Sequence, residues 1–191
     1  MANFAKLQIL GQMAKRVNKS EIEFQPGVNL LIGPNGSGKS TILRILREHN
    51  YPAVESKITT NGQGTMYSFD FEKNNPRHQG ALHREGPKFH HQLASMMSSH
   101  GETVKSIIAL LKDPQAQGAV LLMDEPEQAL DMQGLQELIE LMKTSQADQI
   151  IVATHSPFLI LEPNFHIIEL VDGYRQEVSQ AINHLNQKAV L

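Results

Sequence analysis

Apolar and polar positions alternate in short runs at the start of the chain. Residues 7–10, 21–24 and 28–32, separated by polar and Pro-Gly punctuation, predict three β-strands. The third passes straight into a glycine-rich stretch. Beyond it Ile42, Ile45 and Leu46 recur at helical spacing within residues 40–47, so strand, loop and helix follow in that order. Residues 57–60 and 65–71, with Asn61-Gly62-Gln63-Gly64 between them, predict two strands around a turn. Residues 72–87 are polar and carry Pro76 and Pro87, the composition of a surface loop. Helical patterns follow over residues 91–98 and on the face made by Val104, Ile107, Ile108 and Leu111. Residues 119–123 form a continuous apolar run, expected of a strand covered on both faces of a parallel sheet. Leu135, Leu138, Ile139 and Met142 then mark one stripe of a helix, residues 150–153 a second buried strand, and residues 166–170 a last strand before a polar C-terminal segment. Strands alternating with helices predict a layered α/β fold with a mostly parallel central sheet flanked by helices.

With 191 residues, of which 40% are apolar and 19% charged, the chain is long enough for one well-buried domain, taken here as residues 1–191. No apolar run approaches the roughly 20 residues that span a bilayer, and the first residues lack a secretory apolar stretch, so a cytoplasmic protein is expected. The absence of cysteine removes disulfides, thiolate zinc sites and thiol redox chemistry. The net charge of -3 provides no basic excess for tracking phosphates, so nucleic acid stays a possible partner unsupported by charge. Lys15-Arg16-Val17-Asn18-Lys19 reads as a solvated loop.

Chemistry concentrates in two places. Gly33-Pro34-Asn35-Gly36-Ser37-Gly38-Lys39-Ser40 has the spacing G-x-x-x-x-G-K-S/T, in which backbone N–H groups and a helix N-terminus surround phosphates. Asn35, Gly36, Ser37, Gly38, Lys39, Ser40 and Thr41 are the candidate nucleotide contacts. Lys39 bridges phosphate oxygens as a point charge, and the Ser40 hydroxyl is a candidate Mg²⁺ ligand. The second place is Val120-Leu121-Leu122-Met123-Asp124-Glu125, a buried strand ending in two carboxylates. Asp124 is the candidate metal carboxylate and Glu125 the candidate general base for an attacking water.

Residues 124–131, Asp-Glu-Pro-Glu-Gln-Ala-Leu-Asp, resemble the Walker B motif and following loop of ABC-type ATPases. His155, in Ala153-Thr154-His155-Ser156-Pro157, resembles their γ-phosphate-sensing switch histidine. Ser98-Ser99-His100-Gly101-Glu102 is similar to the ABC signature, with Ser98 in place of the usual leucine and His100 in place of its first glycine. That Ser-His-Gly-Glu form is familiar from small standalone ATPases related to the structural-maintenance-of-chromosomes and recombination-repair branch. Ser98 follows Lys39 too closely in sequence to leave room for that branch's coiled-coil arms.

The resemblance implies a P-loop NTPase fold of ABC ATPase type, with a small N-terminal antiparallel sheet. It implies ATP and Mg²⁺ as ligands, and hydrolysis through Glu125, His155 and Lys39. It also implies a nucleotide-dependent homodimer, in which Ser99, Gly101 and Glu102 reach the nucleotide held by the other copy, acting on an unidentified effector protein. Asp70 or Glu72 takes the place of the Q-loop residue, although neither is a glutamine. His90-His91 reads as solvated surface. Alternatives are a low-turnover nucleotide-gated module of a DNA-repair or antiphage complex, a transporter's energising subunit in contact with a membrane partner, and a small-molecule kinase. His155 and Ser99 speak against the last.

Overall fold

The computed structural model describes residues 3–48, 56–61, 65–70, 111–112 and 117–189. Its strands divide between two sheets. In the smaller, β1 (Phe4–Ile9) lies between β2 (Glu21–Glu23) and β4 (Ser56–Thr60), antiparallel to both, with Leu7 opposite Ile22 on one side and Ile58 on the other. Leu7, Ile9 and Ile22 turn into the core while Lys6 stands on the other face, ion-paired with Glu21 and Glu23. This is the one-face-wet pattern of antiparallel sheets.

The larger sheet is parallel throughout, in the order β5 (Met66–Asp70), β6 (Val120–Asp124), β7 (Gln149–Ala153), β3 (Gly27–Ile32), β8 (His166–Glu169). Period-two alternation sends side chains to two cores. Leu30, Ile32, Leu121, Met123, Ile150 and Val152 meet the buried stripe of α3 (Met132–Thr144), namely Leu135, Leu138, Ile139 and Met142. On the opposite face Leu31, Leu122 and Ile151 join Leu7 and Ile22 of the small sheet around α2 (Lys39–Arg47), which buries Ile42, Leu43, Ile45 and Leu46. The central strands β6 and β7 are therefore apolar on both faces, as their unbroken runs predict.

The expected pairing of residues 57–60 with 65–71 around a turn is not found: β4 pairs with β1, and β5 lies in the other sheet beside β6. The side chains explain the separation. In β4 only Ile58 is apolar, which suits a sheet with one wet face. β5 places Tyr67 and Phe69 against one core and Met66 against the other, which suits a sheet covered on both sides. The polar C-terminal segment, to which the sequence assigned no element, is helical. It forms α5 (Tyr174–Ala189), whose Tyr174 and Val178 touch the core while its later turns stand in solvent. Among the described residues α1 (Gly11–Ala14) and α4 (Pro157–Ile160) are single-turn helices. Of the helices expected from residues 91–98 and from Val104, only Leu111 and Lys112 are described; both are helical and Leu111 is buried in the core. Among the described residues no helix is long and apolar enough to cross a membrane.

Candidate nucleotide-binding and hydrolysis site

β3, β6 and β7 are parallel neighbours, so their C-terminal ends open on one edge of the sheet, where α/β folds place ligands. β3 leads into the loop Gly33–Gly38, whose crest, Pro34 to Gly36, is exposed. The loop closes on itself through the Ser37 N–H, which donates to the Pro34 carbonyl at 3.2 Å, and the buried Ser37 side chain faces Gly33. Two glycines shape the opening. Gly36, at φ 79°, holds a left-handed conformation that side chains rarely adopt, with open space where a Cβ would stand. Gly38 caps α2 at φ 101°, and a Cβ there would stand 2.7 Å from Val17 Cγ1 and 2.9 Å from Val17 Cα.

That contact, with a hydrogen bond from the Asn18 N–H to the Ser37 carbonyl at 3.1 Å, seats the loop after α1 against the glycine loop. Lys15, Arg16 and Lys19 are exposed, as read from sequence, but Val17 is buried.

Lys39 is buried to 5% exposure and folds back, its Nζ donating to the Gly33 carbonyl at 3.0 Å and the Pro34 carbonyl at 3.2 Å. Burial lowers its pKa, against the opposing pull of Glu125, Asp124 and Glu127. The Ser40 hydroxyl donates to Asp124 Oδ1 at 3.1 Å, so the two candidate metal ligands share one place. Both offer hard oxygen donors of the kind Mg²⁺ takes. In the β5–β6 register Asp70 lies opposite Asp124, which brings one Q-loop candidate to the same edge. Thr41, next to Ser40 on the first turn of α2, is half-buried.

Glu125 holds φ 49°, ψ 54°, a left-handed conformation that no other non-glycine among the described residues adopts. Its N–H donates to the Ala153 carbonyl at 2.9 Å, tying the end of β6 to the end of β7. The bend separates the two carboxylates: Asp124 meets Ser40, while Glu125 Oε1 meets His155 Nε2 at 3.1 Å and Glu125 Oε2 accepts from Gln128 Nε2. Backbone strain of this kind costs about 1–3 kcal/mol and persists where the surrounding structure over-determines it. Burial first, then the Lys39 ammonium, hold the His155 pKa below the ordinary imidazole value, with Glu125 and Glu127 opposing. The contact is thus a hydrogen bond from a neutral ring protonated on Nε2 rather than an ion pair at neutral pH.

One residue escaped the sequence reading. Glu127, in the 3₁₀ turn Pro126–Ala129, accepts at Oε1 from Thr154 Oγ1 at 2.5 Å, the His155 N–H at 2.8 Å and the Ser156 N–H at 3.0 Å. No sequence signal pointed to it, since a carboxylate on a turn is ordinarily left in water and its donors here are a hydroxyl and main-chain N–H groups 27 to 29 residues away. Ser99, Gly101, Glu102, Glu72, His90 and His91 lie outside the described residues.

A family model described as an AAA domain matches residues 3–189. A Pyrococcus horikoshii protein assigned by name to the ABC transporter ATP-binding proteins is 27% identical over 91% of this chain and 81% of its own length. The zinc import ATP-binding protein ZnuC of Photobacterium profundum is 24% identical over 86% of this chain and 70% of its own. The DNA double-strand break repair Rad50 ATPase of Thermococcus kodakarensis is 39% identical over a shorter stretch, 34% of this chain and 8% of that protein. Among solved structures, a bacterial Atm1-family ABC exporter with ATP bound superposes with a TM-score of 0.50 at 16% identity, covering 95% of this chain and 42% of that one. The chain belongs to the AAA-domain family and is an ABC-type P-loop ATPase, related to the branch that includes Rad50. It binds and hydrolyses ATP.

Proposed function

We propose that the chain acts as one Mg²⁺-dependent ATPase unit that closes as a homodimer on ATP and opens on hydrolysis, and so switches an effector protein between two states. The observation that supports this most is the convergence of Lys39, the Ser40–Asp124 pair and the Glu125–His155 pair on one edge of the parallel sheet. In this reading the main-chain N–H groups of residues 35–41 cradle the phosphates, and Lys39 leaves the Gly33 and Pro34 carbonyls to meet them. Ser40 and Asp124 hold Mg²⁺, which supplies charge neutralisation at the β- and γ-phosphates when bound. Glu125 takes the proton of the water whose oxygen attacks the γ-phosphorus as the bond to the β-phosphate oxygen breaks. His155 orients Glu125 and senses the γ-phosphate. Ser99, Gly101 and Glu102 complete the site of the other copy, so each chain holds half of two sites.

Phosphate release and light scattering with Mg-ATP test this together. Lys39→Ala should lose ATP binding. Glu125→Gln should keep ATP, slow release by about 10²–10⁴-fold and accumulate as a dimer. A Glu125→Gln variant that stays monomeric with Mg-ATP overturns the dimeric switch, and one that releases phosphate at the wild-type rate overturns the base. The relatives named for ABC transport favour a second reading, an energising subunit. Co-purification of the trapped variant with a membrane protein would select it over an effector outside the membrane.

A further inference from the structure

The turn after β6 and the turn after β7 are joined by Glu127. Its Oε1 receives a hydroxyl and two consecutive main-chain N–H groups, from Thr154, His155 and Ser156, and the Thr154 hydroxyl oxygen in turn accepts from the Ser156 N–H at 3.0 Å. Converging N–H groups of this kind form a small anion cup, here filled by the protein's own carboxylate. Thr154 is fully buried and Ser156 is 8% exposed. Glu127 Oε2 is buried with no hydrogen-bond partner among the described residues. A carboxylate on a surface turn gains little from leaving water, so three charge-assisted bonds on one oxygen are the reason this one is turned inward. The residue it grips through the main chain is the one whose ring meets Glu125.

We propose that Glu127 is a positioning residue for hydrolysis: its carboxylate fixes the main chain of residues 154–156 so that the His155 ring meets Glu125. The inference rests on the reading that His155 and Glu125 act together on the attacking water. It adds a carboxylate that works on the histidine loop and not on the nucleotide. Misplacing a catalytic group by about an ångström costs on the order of 10²-fold in rate, which sets the expected scale.

The experiment compares steady-state ATP hydrolysis by Glu127→Ala, Glu127→Gln, His155→Ala and the double variant Glu127→Ala/His155→Ala. Glu127→Ala should lower kcat about as far as His155→Ala does, with KM changed by less than about twofold, because a transition-state interaction and not ground-state binding is lost. The double variant should fall no further than either single one. Glu127→Gln keeps an oxygen for the three donors and should recover most of the activity. It also removes a negative charge beside His155, so the ring should titrate at lower pH when followed by NMR.

Wild-type kcat in Glu127→Ala, or additive losses in the double variant, overturns the proposal. If alanine at 127 prevents folding, Glu127→Asp, one methylene short of the same donors, carries the kcat comparison. If His155→Ala leaves hydrolysis unchanged, the histidine's role in the function proposed above fails on its own. Positioning is then decided by the spectrum: an unchanged His155 amide shift in Glu127→Ala and an unchanged ring titration in Glu127→Gln overturn it as well.

Discussion

His155 is charged in the unfolded chain at a pH where it is still neutral in the fold. Burial and the Lys39 ammonium lower its folded pKa, and the facing carboxylates Glu125 and Glu127 only partly offset them. As pH falls through the ordinary imidazole value of about 6.5, the unfolded chain takes up a proton before the native protein does. Stability contributed by the neutral ring is therefore present above that value and declines below it. Urea unfolding between about pH 7.5 and 5.5 should show the wild type losing stability faster than His155→Asn, since asparagine has nothing to titrate in that window. Equal slopes for the two proteins would mean that the ring is not held neutral by its surroundings. On the function proposed above, the same protonation should lower kcat over this pH window in steady-state hydrolysis, because an imidazolium turns the hydrogen bond to Glu125 into an ion pair.

The β3–loop–α2 element depends on Gly38. An alanine there meets both a left-handed backbone at φ 101° and contacts of 2.7 and 2.9 Å with Val17, one of them to the Val17 backbone, which no rotamer change relieves. Gly118 supplies a control, with φ 79° and nothing within 4 Å of the place a methyl would take. Gly118→Ala should cost about 1–2 kcal/mol from the backbone alone. Gly38→Ala should cost more and lower ATP affinity as well, read by urea unfolding and nucleotide titration; equal losses would show that the Val17 contact yields freely. This element was fully legible in the sequence, because glycine spacing and helical periodicity each carry their own local cause. So were β6 and β7, whose unbroken apolar runs need two covered faces. The pairing of β4 and β5 was not legible, since the turn-like Asn61-Gly62-Gln63-Gly64 suggested a local partner and the choice between sheets depends on which cores lie nearby. α5 was missed for a related reason: only Tyr174 and Val178 touch the core, so it has little apolar stripe to read. In the candidate site, Lys39, Ser40, Asp124 and Glu125 were named from motif spacing and His155 from its resemblance to the ABC switch histidine, whereas Glu127 works only through a turn 28 residues away from it at His155.

At the scale of the whole molecule, the two sheets must hold a fixed relation for α2, packed between them, to present the glycine loop. Gln149 is one of the joints. It begins β7, is fully buried, accepts the Phe4 N–H at 2.9 Å, and donates to the Phe4 carbonyl at 3.0 Å and the Gln25 carbonyl at 2.9 Å. A single side chain thereby binds the first strand of the small sheet to the central strand of the large one. It sits at the opposite end of β7 from His155, so its contribution should be to stability and not to chemistry. Gln149→Leu keeps the bulk and removes all three bonds, and should cost about 2–4 kcal/mol in urea unfolding, given about 1 kcal/mol per hydrogen bond and more for a buried group left unsatisfied. Well below the melting temperature, kcat for ATP should stay within about twofold of wild type, because an interaction shared by ground and transition states does not alter the chemical step. Loss of kcat in a variant that remains folded would show the opposite: that the angle between the sheets, and not only their attachment, is set for hydrolysis through α2.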